Sequence, residues 1–291
     1  MNLLKPSQFP SLLQRFSSNI GWLAATCLAS VAGTVQADLA DVNFYNNISY
    51  MQTSAAAPVT PFGYFANIGG DFQTAGDFDS VTASYPGAGS PQTLAIKGTN
   101  FNFGSQYDAT QNAQQTDFPY GVYTVTASNS VTNTVQNGTI NYSADYFTSA
   151  IPALTANSFN GLSGMNPTNG YTVAFNAFTP DPNVSVGLTF FSIFDASNNL
   201  VFTSGGLSAA ATSVYIPLNT LLVNSAYTFE LDFTDRIIGY DAVNNVNTLQ
   251  GFDVRTDGAF TTAAAVPLPA AFWLFGSALT GFVVTKKRRF A

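Results

Sequence analysis

Ala226-Tyr-Thr-Phe-Glu-Leu-Asp-Phe-Thr234 alternates apolar and polar side chains more regularly than any other stretch of the body. Tyr227, Phe229, Leu231 and Phe233 take alternate positions, with Thr228, Glu230, Asp232 and Thr234 between them. In a strand, successive side chains point to opposite faces, whereas a helix would scatter both sets around its circumference. The stretch is therefore expected to be a strand with an aromatic face toward a core and a polar face toward water. Upstream, Val184–Phe194 carries Val184, Val186, Leu188, Phe190, Ser192 and Phe194 on one side, with Phe191 and Ile193 on the other. That pattern fits a central strand buried on both faces near its end. Tyr171–Phe178 alternates likewise, and Asn198-Asn199 reads as a hairpin turn.

The first half is looser. Val42–Tyr45, Phe62–Ile68, Val81–Tyr85, Leu94–Lys97, Gly121–Ala127 and Thr139–Phe147 are candidate strands, and Tyr107–Asp117 is a long polar connection. No amphipathic helical period is sustained between Asp38 and Ala265. The expectation is an all-β, antiparallel β-sandwich, immunoglobulin-like or jelly-roll-like, in one or two units. A boundary near Ile151-Pro152 divides a β-rich region, 38–151, from a β-sandwich region, 152–262.

Only 9% of the 291 residues are charged while 46% are hydrophobic, which is the opposite of a disordered composition. Between residues 38 and 257 lie all sixteen acidic side chains and only three basic ones, Lys97, Arg236 and Arg255. Nucleic-acid binding, which needs clustered Lys and Arg, is excluded on that ground. The remaining basic residues sit at the two ends of the chain, where they read as processing signals.

Residues 1–37 read as a secretory signal, with Lys5 and Arg15 ahead of or beside a mostly apolar core from Ile20 to Val35. Val35-Gln36-Ala37 presents small residues where a signal peptidase cuts, so cleavage after Ala37 would leave Asp38 as the new amino terminus. Cys27 could instead mark a lipoprotein signal, but Ala24-Ala25-Thr26 lacks the leucine expected before it. The rest of the chain has no cysteine, hence neither disulfide nor thiol once the leader is removed.

At the other end, Val266-Pro267-Leu268-Pro269 precedes an apolar run, Ala270–Val284, and then Lys286-Lys287-Arg288-Arg289. Counted from Val266, the apolar length approaches the ~20 residues a membrane helix needs, and the basic cluster would stay cytoplasmic. Val266–Phe282 (including Trp273), followed by the four basic residues, closely resembles the PEP-CTERM sorting domain. Residues 263–291 would then form a sorting anchor of linker, proline motif, transmembrane helix and basic tail. The resemblance implies recognition and cleavage by exosortase, an integral-membrane protease-transpeptidase, in a Gram-negative bacterium that makes extracellular polysaccharide. It also implies passage from the inner membrane to the cell surface or extracellular matrix. Leu268 stands where the family's name motif has glutamate, which leaves the cleavage position open.

The body limits its own chemistry. The chain has no histidine, so a Ser-His-Asp triad and His-based zinc sites are excluded. Glu230 and Asp232, on one strand face at i and i+2, could form a two-carboxylate glycosidase pair, provided that they sit in a pocket with one pKa raised. Calcium candidates are Asp77 and Asp79 and the Asp195–Asn199 loop, although turn chemistry explains them equally well. Tyr107, Tyr120, Tyr123 and Tyr240 lie near polar residues and would serve a glycan-binding surface. The reading is a non-enzymatic exported surface or matrix protein associated with exopolysaccharide or biofilm, with a carbohydrate-binding adhesin as the alternative.

Overall fold

The computed structural model describes residues 38–103 and 106–264, and the side chains of Gln106 and Tyr107 are not described. In chain order the elements are β1 (Leu39–Met51), β2 (Pro61–Phe72), β3 (Ser80–Ser84), β4 (Gln92–Thr93), β5 (Ala95–Lys97), β6 (Asn100–Asn102) and β7 (Gln106–Asp108), followed by α1 (Gln111–Asp117). Next come β8 (Gly121–Asn129), β9 (Thr134–Tyr142), α2 (Ala156–Leu162) and β10 (Tyr171–Ala174). The remaining strands are β11 (Val186–Asp195), β12 (Leu200–Thr203), β13 (Leu207–Ser208), β14 (Ser213–Ile216), β15 (Ala226–Asp241) and β16 (Val246–Thr261). The described chain is mostly β, in several sheets whose pairs are antiparallel with one exception.

A ten-stranded sheet runs in the order β12-β11-β15-β16-β1-β2-β6-β5, with β13 on β11 and β7 on β2. A four-stranded sheet, β4-β3-β8-β9, and a two-stranded one, β10-β14, accompany it. The exception is at the middle of the large sheet, where β1 runs parallel to β16 from Asp41↔Asn247 to Met51↔Asp257. An antiparallel sheet was expected, and the sheet is mixed. Parallel neighbours need a long crossover between them; here the crossover is nearly the whole body, so local sequence carries no trace of it.

The aromatic face of β15 behaves as its alternation requires. Phe229, Leu231 and Phe233 join Phe191 and Ile193 of β11, Val173 of β10 and Leu162 of α2 in one apolar core. The same face of the large sheet carries a second core, where Val42, Phe44, Ile68 and Phe252 meet Val81, Tyr123, Val125, Ile140 and Tyr142 of the four-stranded sheet. Gly138 of β9 lets the two sheets close on one another there, since a Cβ at that position would lie 2.7 Å from Val42 Cγ1. Each buried large apolar side chain of this kind contributes about 1.5–3 kcal/mol.

The Asn198 turn between β11 and β12 lies where expected, with Asn198 in the left-handed region at φ 68°. β15 outruns its sequence signal, continuing to Asp241, and the polar connection before Asp117 contains α1, capped by the Thr110 side chain. Around Pro152 the chain is stitched to the large sheet. Thr256 Oγ1 donates to the Pro152 carbonyl at 2.6 Å, and Gln52 exchanges two hydrogen bonds with the backbone of Leu154. Among the described residues no helix is long and apolar enough to cross a membrane. The expected leader up to Ala37, the sorting residues Val266, Pro267, Leu268, Pro269 and Trp273, and the tail Lys286, Lys287, Arg288 and Arg289 lie outside the described residues.

Candidate functional site

The polar face of β15 departs from expectation. Glu230 and Asp232 lie on one face as their spacing dictates, but they are 3% and 1% exposed rather than solvated. Antiparallel pairing puts Asp257 opposite Glu230, Arg255 opposite Asp232 and Asp253 opposite Thr234. Parallel pairing then adds Asn47, Ser49 and Met51 of β1 beside Asp253, Arg255 and Asp257. The Arg255 guanidinium is held by Asp257 at 3.1 Å and Glu230 at 4.0 Å, and lies 5.6 Å from the Phe65 ring centre. Arg236, farther along β15, lies over Phe190 at 5.1 Å.

The face thus gathers four carboxylates about two guanidinium groups in a dry setting. Burial pushes Asp232 well up, the Glu230 charge adding to it, and burial raises Asp257 against the pull of Arg255. Burial also pushes Asp253 up to about 6, although Arg236 works the other way. Near the start of β1, burial and the neighbouring Asp71 push Asp41 up to about 7.

One of the two conditions for a carboxylate-pair glycosidase, a raised pKa, is therefore met at Asp232. The other is a concave pocket. A shallow groove of about 380 Å³ lies at the end of the β15–β16 hairpin, but Tyr227, Phe260, Asp195 and Ser163 are among the residues lining it, and Glu230 and Asp232 are not. Asp253, Arg255 and Asp257 escaped the sequence reading. Their signal was the alternation of Phe252, Val254 and Thr256 with these charged residues, the same period that exposed β15.

The carboxylates of the calcium candidates already accept hydrogen bonds, some within their own turns and some from distant segments. Asp77 Oδ2 accepts from Thr74 N at 2.9 Å and Asp38 N at 3.5 Å. Asp79 accepts from the backbone and hydroxyl of Ser130, and Asp195 Oδ1 accepts from Ser197 N and Asn199 N. Among the described residues no group of three or more His, Cys, Asp or Glu side chains is arranged to hold a metal ion.

Of the tyrosines, Tyr123 is core, stacked on Tyr85, and the Tyr107 side chain is not described. Tyr240 is 57% exposed and donates to Asn245. Tyr120, 47% exposed, belongs to a connected polar cluster. Its hydroxyl donates to Asp145 Oδ2 at 3.2 Å, and its ring meets Tyr142 edge-on at 4.8 Å. Tyr142 donates to the other Asp145 oxygen, while Gln111, Gln115 and Asn46 point their amides at the same carboxylate. An exposed aromatic ring beside amide and carboxylate groups is the chemistry that contacts sugar hydroxyls and ring faces. Asn46 and Asp145 are far apart in sequence, so only the fold brings this cluster together.

No family model and no curated protein matches this chain. Among solved structures, it aligns with the BSP domain of a biofilm associated protein at 14% identity, over 69% of this chain and 28% of that one, with a TM-score of 0.21. It also aligns with a Parabacteroides merdae β-glucuronidase at 11% identity, over 78% of this chain and 36% of that one, with a TM-score of 0.22. The chain thus spans about a third of the length of either neighbour, and likenesses at these scores carry no argument about fold or function.

Proposed function

We propose that this chain is an exported, non-enzymatic surface or extracellular-matrix protein, sorted by exosortase and associated with exopolysaccharide or biofilm. The observation that carries the reading is the succession of segments in the tail sequence: Val266-Pro267-Leu268-Pro269, an apolar run through Trp273, and Lys286–Arg289. Signal peptidase would remove residues 1–37, and the tail would hold the protein in the inner membrane until exosortase acts. Residues 38–262 then form the released body, a β-sandwich of immunoglobulin-like or jelly-roll-like layering. That body suits an extracellular role because its surface relies on uncharged polar groups and its folding on neither a disulfide nor a thiol.

Intact mass and terminal peptide mapping of the protein from cells and from culture medium test this. The expected result is a chain that starts at Asp38, ends near Val266–Pro269 and is found outside the cell. A chain retaining Lys286–Arg289 in the membrane overturns the sorting.

The second reading, a carbohydrate-binding adhesin, is favoured by the Tyr120–Tyr142–Asp145 cluster, with its ring partly open to solvent and its amides alongside.

A further inference from the structure

The residue expected at the new amino terminus sits in a clamp built by three separate segments. The Asp38 carbonyl accepts from Gln73 N at 2.9 Å, just beyond β2. Its side-chain Oδ1 accepts from Gln136 Nε2 of β9 at 2.9 Å, and the same Gln136 accepts from Leu39 N at 2.6 Å. The Asp38 backbone nitrogen points at Asp77 Oδ2, in the turn between β2 and β3, across 3.5 Å. That is longer than the roughly 2.7–3.2 Å of an ordinary N–H···O bond, so the contact is weak while the nitrogen is a neutral amide.

We propose that Asp77 is the built-in counter-ion of the mature amino terminus, so that removal of the leader completes the anchoring of β1. The inference rests on the signal-peptide reading for the position of the cut. Water adds across the Ala37–Asp38 bond; Ala37 leaves as a carboxylate, and the Asp38 nitrogen becomes an α-ammonium. One neutral N–H is thereby replaced by three donors and a positive charge at a position already facing a carboxylate. A charge-assisted hydrogen bond is shorter and stronger than the neutral N–H contact it replaces.

The location gives the contact its importance. Chain termini fray unless tied down, yet β1 is an interior strand, paired with β16 on one side and β2 on the other. Loosening its first residues would open the β2 ladder at Leu39↔Phe72 and uncover the start of the β16 ladder at Asp41↔Asn247. The remaining neighbours do not supply a competing charge. Thr74 and Gln73 come from the β2–β3 side and Gln136 from β9, which also donates to the Asn244 carbonyl in the β15–β16 turn. Asp241, beyond Gln136, is engaged by Thr139 and Asn244. The ionisable groups bonded within the clamp are Asp77 and the Asp38 side chain itself.

The test uses the full gene expressed in the producing cells and the processed protein recovered from them. N-terminal sequencing locates the cut. Competitive labelling of the α-amine across pH, in the native and the urea-unfolded protein, then reads its proton affinity. An unpaired α-amine titrates at about 7.7–8.0. The native wild-type amine is expected to titrate a few tenths to about one pH unit higher than the unfolded one, a roughly two- to tenfold tighter hold on the proton. In Asp77→Asn that difference should disappear. Asp77→Glu, which keeps the charge, should retain part of it. If the native and unfolded wild-type amines titrate alike, the counter-ion role is overturned whether or not the variants fold, while the cut at Ala37 stands. A first residue other than Asp38 overturns the cleavage reading, and the clamp's role with it.

Discussion

The two faces of the β15–β16 hairpin are the most instructive contrast in the molecule. On one, Phe229, Leu231 and Phe233 pack with β11 and α2 into an ordinary apolar core. On the other, Glu230, Asp232, Asp253 and Asp257 are equally withdrawn from water, with Arg255 at their centre. Burial on the first face is favourable in itself. On the second it is tolerable only while each charge keeps its partner, because desolvation can exceed the Coulombic gain. The same alternating sequence therefore yields one face that stabilises the fold and one that stabilises it conditionally.

The contrast breaks most sharply at Arg255. Arg255→Ala leaves Glu230 and Asp257 buried beside each other without their cation and should cost about 3–5 kcal/mol of stability. On the apolar face Phe233→Ala should cost a similar amount, about 3–5 kcal/mol, through a cavity. The two are separated by adding Glu230→Gln and Asp257→Asn to the Arg255 variant. These should recover stability, whereas polar changes cannot refill the Phe233 cavity. Urea unfolding of the set checks this, and an Arg255→Ala cost below about 1 kcal/mol would mean that the charged face is not dry.

A smaller effect appears on changing pH. Asp253 and Asp41 hold their protons more tightly when folded than when unfolded, so the folded state binds more protons through this window and stability falls as pH rises. For Asp253 the loss runs from about pH 4 to about 6, and for Asp41 it extends to about 7. Asp241 acts in the opposite sense. Although burial alone would raise it, hydrogen bonds from Asn244 and Thr139 hold it down at about 2, so its contribution is lost on acidification below about pH 4. Stability should thus be higher near pH 5 than at pH 7.5, and Asp253→Asn should shrink that difference by about 1.4 kcal/mol, since about one pH unit separates pH 5 from the folded value of about 6. Thermal unfolding across pH measures it. A slope unchanged in Asp253→Asn would place the pH dependence elsewhere.

The smallest effect belongs to neither face. Asn198 holds a left-handed turn between β11 and β12. Asn198→Ala should cost about 1 kcal/mol, and Asn198→Gly almost nothing, since glycine adopts that backbone freely. Equal costs for the two would show that the Asn198 side chain, rather than its backbone, matters.

What was legible in the sequence followed from local periodicity. The alternation at Ala226–Thr234 identified the strand and assigned Phe229 and Glu230 to opposite faces, and Asn198-Asn199 marked the turn, because both are properties of a few neighbouring residues. The sequence alone also set the chain's charge distribution. Tertiary structure decided the rest. It set the parallel pairing of β1 with β16, which brings Asn47 and Ser49 beside Asp253 and Arg255. It also withdrew the polar face of β15 from water and joined Asn46 to Tyr142 and Asp145. These relations depend on which strands become neighbours across the whole body, and a pattern of period two reports the face a residue occupies without reporting what will stand against that face.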